Sequence, residues 1–263
     1  LGGLSVATHT NAGTYNDTFT FTDVTGNYNN ILTGNVSSVI AKANATIATS
    51  GFNGVYDGAA HTATATATGV LGESLSGLIL SATPHTNVGN YNDGWTFTDV
   101  TGNYNDAVGA VSSSITALGI TGNFTAANKT YDATTAATVQ SRTLTGVIGA
   151  DDVSLIGGTA SFNNANVGTG ITVTLTGATL TGTAVSNYSL TSVNTTTANI
   201  AKATAILTVT GYNVVYDGAA HQATGTATGV LGESLSGLNL SVTSHTNAGL
   251  YRDIVTFTDV TGN

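Results

Sequence analysis

The chain has 263 residues, 41% of them hydrophobic and only 7% charged, with 33 glycines, one proline and no cysteine or methionine. Lack of cysteine excludes disulfides, thiol chemistry and thiolate metal sites. A formal charge of −9, from 5 Lys and Arg against 14 Asp and Glu, repels nucleic acid and anionic membrane surfaces, both of which need clustered cations. So much apolar residue with so little charge also excludes a disordered polar tract.

Self-similarity organises the chain. Val55–Asn103 begins VYDGAAHTATATATGVLGESLSGL and Val215–Asn263 begins VYDGAAHQATGTATGVLGESLSGL. Tyr56 and Tyr216 correspond, an offset of 160 residues (216 less 56). A partial copy, LSVATHTNAGTYNDTFTFTDVTGN, lies at Leu4–Asn27, with Thr22 matching Thr98 at an offset of 76 (98 less 22). Four segments result: 1–43, the C-terminal half of an A module; 44–117, a full A module; 118–203, a different module B; and 204–263, the N-terminal part of another A. Both ends then fall within a module, as expected for a window on a longer array, with targeting signals upstream.

In chain order, VIAKA at Val39–Ala43 closes the first segment without a proline or Gly/Ser spacer, as NIAKA does at Asn199–Ala203. Such links favour a stiff rod over beads on a flexible string. Thr62–Thr68 (TATATAT) alternates strictly, Gly69–Ser74 (GVLGES) breaks the pattern, and Leu75–Thr83 resumes it. Tyr91–Asp99 and Val108–Leu118 complete the module as strands, and Gly170–Leu180 and Tyr188–Val193 have the same character in B. Runs of this length bounded by Gly, Asn and Asp predict strands and turns. No apolar stripe of helical period is sustained, and Val70–Leu78 is interrupted by Gly72 and Gly77. The expected fold is all-β: a tandem array of small β-sandwiches, immunoglobulin-like in the broad sense, forming an extended rod. No run approaches the roughly 20 apolar residues of a membrane helix, so membrane insertion is not expected.

These motifs carry a resemblance. VYDGAAH, GVLGESL, HTNAG-x-Y and IAKA of the A module resemble the MBG-type repeats of large bacterial surface proteins. KTYDATTAATV, GVIGADDVSL, ASFNNANVGTGITVTLTG and SNYSL of B resemble the companion YDG-type repeat, although Tyr131-Asp132 is followed by Ala133 where that motif has glycine. The resemblance implies a secreted or cell-surface adhesin, filamentous-haemagglutinin-like, with a stalk, fibre or biofilm-matrix role and no transferable catalytic residues.

Each candidate site has a structural reading beside the chemical one. Tyr56-Asp57-Gly58 and Tyr216-Asp217-Gly218 read as turns, with Asp accepting backbone N–H groups and Gly taking positive φ. His61 and His85, repeated as His221 and His245, with His9 from the opening copy, raise a metal pair. No ligand spacing accompanies them, so hydrogen-bonded structural histidines are the simpler expectation. Asp93, Asp99, Asp106 and the pair Asp151-Asp152 raise calcium at module junctions, yet none matches a calcium loop. Lys42, Lys129 and Lys202 raise Lys–Asn crosslinks. Ala63–Thr68 resembles an ice-binding row but reads more simply as a small-residue strand. No G-x-S-x-G, H-E-x-x-H or P-loop is present, so no enzyme, catalytic residue, resident cofactor or metal site is expected.

The expected role is structural, with further copies of the same repeats as partners in the same or neighbouring chains. The alternative is multivalent binding to glycans or to host or abiotic surfaces, with Trp95, Tyr91 and Tyr251 as the platform. Against it, the Trp95 position holds Phe19 in the opening copy and Val255 in the last.

Overall fold

A computed structural model describes residues 4–5 and 7–262. Leu1, Gly2, Gly3, Val6 and Asn263, which belong to the first and last expected segments, lie outside the described residues. The protein is all-β, and its chain divides into two compact units, Leu1–Leu118 and Gly119–Asn263.

The first unit begins with β1 (Leu4–Ser5), β2 (Gly13–Phe21) and β3 (Ile31–Ile40), an antiparallel sheet in that order. There follow β4 (Ala43–Asn44), β5 (Thr46–Ser50), β6 (Asn53–Val55), β7 (Thr64–Thr68), β8 (Leu78–Leu80), β9 (Gly89–Phe97), β10 (Tyr104–Asn105) and β11 (Ala107–Thr116). β5 and β7 pair antiparallel, while β6, β11, β9 and β8 form a four-stranded sheet in that order. Alternation makes β9 two-faced: Asp93 and Phe97 are buried while Asn90, Asn92, Gly94 and Thr96 are exposed. Val111, Ser113 and Ile115 do the same on β11. Between the two sheets Ala67, Phe97 and Tyr104 form a core flanked by Ile47, Leu75, Leu78 and Trp95. The alanines of TATATAT thus have a packing reason, since a larger side chain at Ala67 would displace Phe97 from a close-packed interior.

The second unit contains β12 (Leu118–Ala126), β13 (Lys129–Thr130), β14 (Ala136–Ala137), β15 (Val139–Thr145), β16 (Ser154–Phe162), β17 (Gly168–Thr181), β18 (Tyr188–Val193) and β19 (Thr196–Ala201). Sheet β15-β12-β18 faces sheet β13-β19-β17-β16-β14. Phe124 of the first packs on Ala160, Phe162, Val173, Leu175, Ala198 and Ile200 of the second. The segment closes with β20 (Ile206–Thr210), β21 (Thr224–Thr228), β22 (Ser234–Leu235), β23 (Leu238–Asn239) and β24 (Thr256–Phe257). Two single-turn 3₁₀ helices, Val185–Asn187 and Ser241–Thr243, are the helical segments among the described residues.

The alternating runs became strands with shifted ends. Thr62–Thr68 shortens to β7, Tyr91–Asp99 moves two residues back to β9, and Tyr188–Val193 is β18 as expected. Leu75–Thr83 contracts to the three residues of β8, because Gly77 at φ +97° turns the chain there. Periodicity did not indicate that β6 runs parallel to β11 and β13 parallel to β19. Through these pairs the two module types share one construction: Tyr56 donates its backbone N–H to Thr116, and Tyr131 donates its own to Ala201 (2.8 Å each).

Candidate functional site

The residues singled out in the sequence converge on three kinds of clasp, each repeated. The first is the turn after the parallel strand. Asp57 accepts the N–H of Ala59 at 2.9 Å, and Gly58 adopts φ +76°. In the last copy Asp217 accepts from Ala219 at 2.8 Å, with Gly218 at φ +80°. In B, Asp132 Oδ1 takes the N–H and hydroxyl of Thr134 (2.9 and 2.8 Å) and Lys129 Nζ at 2.7 Å. There Ala133 must adopt φ +62°, and among the described residues it is the only non-glycine with positive φ. Lys129 foremost, then Thr134, holds the Asp132 carboxyl at about 2.

The second clasp is built on the histidines. The sequence offered no obvious carboxylate partners, but the fold gives each of the five histidines an aspartate. His9 Nε2 meets both oxygens of Asp17 at 2.9 Å, and His85 meets Asp93 at 3.1 and 3.3 Å. His245 reaches Asp253 at 3.0 Å. On the other loop His61 and His221 reach Asp57 and Asp217 at 3.0 Å. A carboxylate only accepts, so Nε2 carries the donated proton in each.

The ring faces are also occupied. His9, His85 and His245 stack within 3.6–3.8 Å on Tyr15, Tyr91 and Tyr251, and His61 stacks on Phe52 at 3.6 Å. The tyrosine hydroxyls then donate to the backbone carbonyls of Asn11, Asn87 and Asn247. His61 and His85 exchange backbone hydrogen bonds at 2.9 Å in both directions, as His221 and His245 do at 3.0 Å. A spacing that could have been read is His, Tyr six residues later and Asp eight later, which places Tyr and Asp on one face of a strand. The i,i+4 pair Asp57–His61 carries no comparable strand signal.

The third clasp joins a loop acid to a tyrosine. Tyr104 donates its hydroxyl to Glu73 while accepting the N–H of Val70 at 3.1 Å. In B, Tyr188 donates to Asp151 at 2.5 Å and accepts from Ile148 at 3.0 Å. The hydrogen bond from Tyr104 depresses the Glu73 carboxyl, and the same bond raises the Tyr104 phenol. GVLGES and GVIGADD are therefore equivalent loops.

The other carboxylates considered for calcium are committed to similar turns. Asp99 accepts from the N–H and hydroxyl of Thr101 and from the N–H of Tyr104, all at 2.9 Å. Burial pushes its pKa up, yet these donors outweigh burial and hold it at about 2. Asp106 takes the N–H of Asp99 at 2.8 Å, and Asp152 accepts from Thr183. Among the described residues no group of three or more His, Asp or Glu side chains is arranged to hold a metal ion.

Lys202 pairs with Asp259 at 2.9 Å and Lys129 with Asp132, so at both lysines the charged partner is an aspartate and not an asparagine. The proposed sugar platform is also engaged elsewhere. Tyr91 and Tyr251 each present a ring face to histidine, and Trp95 packs against the Phe97 core.

Comparison with known proteins agrees with the geometry of module B. Residues 116–198 match the YDG domain family. That stretch runs from the last residue of β11 to the middle of β19 and contains the Tyr131 turn and the Tyr188–Asp151 clasp. No curated protein matches the chain. No helix among the described residues is long and apolar enough to cross a membrane, which says nothing of a β-barrel.

Proposed function

We propose that this chain is a structural repeat region of a long extracellular bacterial fibre or adhesin stalk, able to assemble into a filament or matrix. The observation that carries this reading is the recurrence of the same clasps between copies: the Asp turn in two A copies and in B, the histidine clasp in all three A copies, and the acid–tyrosine clasp in A and in B. What repeats is loop fastening: carboxylates saturated by N–H and O–H donors, and imidazoles held on both ring face and Nε2. A site specialised for chemistry would be expected to stand apart from such repetition. The match to a YDG domain supports the B assignment, and sequence likeness supports MBG-type modules on either side.

In this reading the modules are broadly immunoglobulin-like sandwiches joined into an extended rod outside the cell, and their partners are further copies of the same repeats. Each clasp fastens a loop, which suits a part that carries tension. Electron microscopy and small-angle scattering of the purified 263-residue chain test the proposal. An elongated particle, or filaments with a repeat near the module length, is expected. A compact globular particle that neither elongates nor associates would overturn it, and saturable binding on a glycan array would instead support the lectin alternative.

A further inference from the structure

The junction between the opening segment and the A module that follows it centres on Asn103. Ala43, where the chain crosses into β4, donates its N–H to the Asn103 carbonyl at 2.9 Å. From there β4 runs parallel to β10, with Ala43 opposite Tyr104 and Asn44 opposite Asn105. The Asn103 side chain reaches the other way, into the preceding segment. Its Oδ1 accepts the N–H of Ala12 at 2.7 Å, and its Nδ2 donates to Asn11 Oδ1 at 3.3 Å. One residue thus holds both the linker between the modules and a loop that lies well before that linker in sequence.

The loop that Asn103 grips is the one fastened by the first histidine clasp. Tyr15 stacks on His9 and donates its hydroxyl to the Asn11 carbonyl at 2.6 Å, while His9 meets Asp17. The Asn11 carbonyl is therefore used inside the loop, and the Asn11 side chain and the Ala12 N–H go to the next module. On the receiving side Asn103 donates its own N–H to Thr101 Oγ1 at 3.2 Å, and its neighbour Tyr104 is buried and bonded to Glu73. The gripping amide stands on a fixed base. An amide suits the place, because it offers an acceptor to the N–H and a donor to the Asn11 oxygen. Both halves recur in the sequence: H-T-N-[AV]-G at 9–13, 85–89 and 245–249, and Asn-Tyr at 27–28, 103–104 and 187–188.

We propose that Asn103 is the positioning residue of a module-to-module coupling, and that its partner is the H-T-N-x-G loop of the module before it. A covalent linker alone is one point of attachment, about which two modules swing and rotate. A second attachment, through the Ala12 N–H and the Asn11 side chain, removes that freedom. It does so only if the loop is itself held rigid, since a contact made by a loose loop costs the entropy of ordering it. The histidine clasp thereby has a task beyond its own loop: it presents Asn11 and Ala12 in the geometry that Asn103 requires. The inference rests on the fibre reading only for what the coupling serves. A chain that made no fibres could still lock this junction, and a fibre could form from modules that swing at it.

The test uses the full 263-residue chain, in which no native cysteine competes for a label. Spin labels at Thr18→Cys and Thr96→Cys, both exposed positions, report a distance across the junction. A second pair, Asn53→Cys and Thr96→Cys, reports one within the later module. Each pair should give a single narrow distance. Asn103→Ala and, from the other side, Asn11→Ala should each lose the narrow peak across the junction and keep the one within the module. Amide exchange at Ala12 should quicken about five- to tenfold in Asn103→Ala. It should also quicken in Tyr15→Phe, whose ring still stacks on His9 but no longer ties down Asn11. A narrow junction peak that survives both alanine variants, broadening of the two pairs alike, or Ala12 exchange indifferent to Asn103→Ala and Tyr15→Phe would overturn the proposal.

Discussion

Replacing Ala133 with glycine should stabilise module B. Its φ of +62° is imposed by the Asp132 turn, whose carboxylate gathers Thr134 and Lys129 around a left-handed residue. An L-residue with a Cβ in that conformation costs about 1–2 kcal/mol. Glycine removes this strain but gives back about 0.5–1 kcal/mol through the greater freedom of the unfolded chain. The methyl is only half-buried, so little packing is lost, and the net gain is about 0.5–1 kcal/mol. For module B, residues 118–203, this raises Tm by about 2–8 °C. The reciprocal change, Gly218→Ala, places a Cβ in open space at φ +80°, so it isolates backbone strain and should destabilise by a similar amount. Thermal and urea unfolding of the full chain, with amide exchange assigning the change to each segment, measures both. If Ala133→Gly lowered stability, or Gly218→Ala had no effect, the strain argument would be wrong.

Phe97 is 1% exposed at the centre of its small core, so Phe97→Ala should cost about 3–5 kcal/mol in urea unfolding; a loss below about 1 kcal/mol would mean the core collapses around the gap. The His85–Asp93 clasp is largely buried, and a double-mutant cycle of His85→Ala with Asp93→Ala should show coupling of about 0.5–3 kcal/mol. Additive effects would remove it from the list of stabilising contacts. Asp23, Asp99 and Asp132 have carboxyls held at about 2, below their value in an unfolded chain. Depressed folded-state values stabilise above the unfolded value of about 4 and lose that contribution as pH falls towards 2. Tm should therefore fall across that window, and the fall should shrink when Asp99→Asn removes one of the groups. A flat profile from pH 5 to 2 would contradict the hydrogen-bond assignments.

The clasps were partly legible before the fold was known. Tyr-Asp-Gly reads as a turn because Asp accepts nearby N–H groups and Gly tolerates positive φ, both local properties. Asp57 and Asp217 sit in such turns, and module B shows its cost where alanine replaces the glycine. For His9, His85 and His245 the Tyr and Asp six and eight residues later carried a readable spacing, whereas no local rule points from His61 back to Asp57 across a turn. Glu73 and Asp151 likewise gave no hint of Tyr104 and Tyr188, which lie 31 and 37 residues further on. Only when the loop folds over the strand does the phenol reach the acid.

The amino-acid sequence alone determined the all-β character, the position of most strands and the internal repetition, because period-two alternation and turn residues act over a few neighbours. Tertiary structure decided which strands lie side by side. The parallel pairs β6–β11 and β13–β19 join segments about 60–70 residues apart, and a strand carries the same two-faced pattern whichever neighbour it has. Partner choice rests on how side chains from distant segments fill one interior.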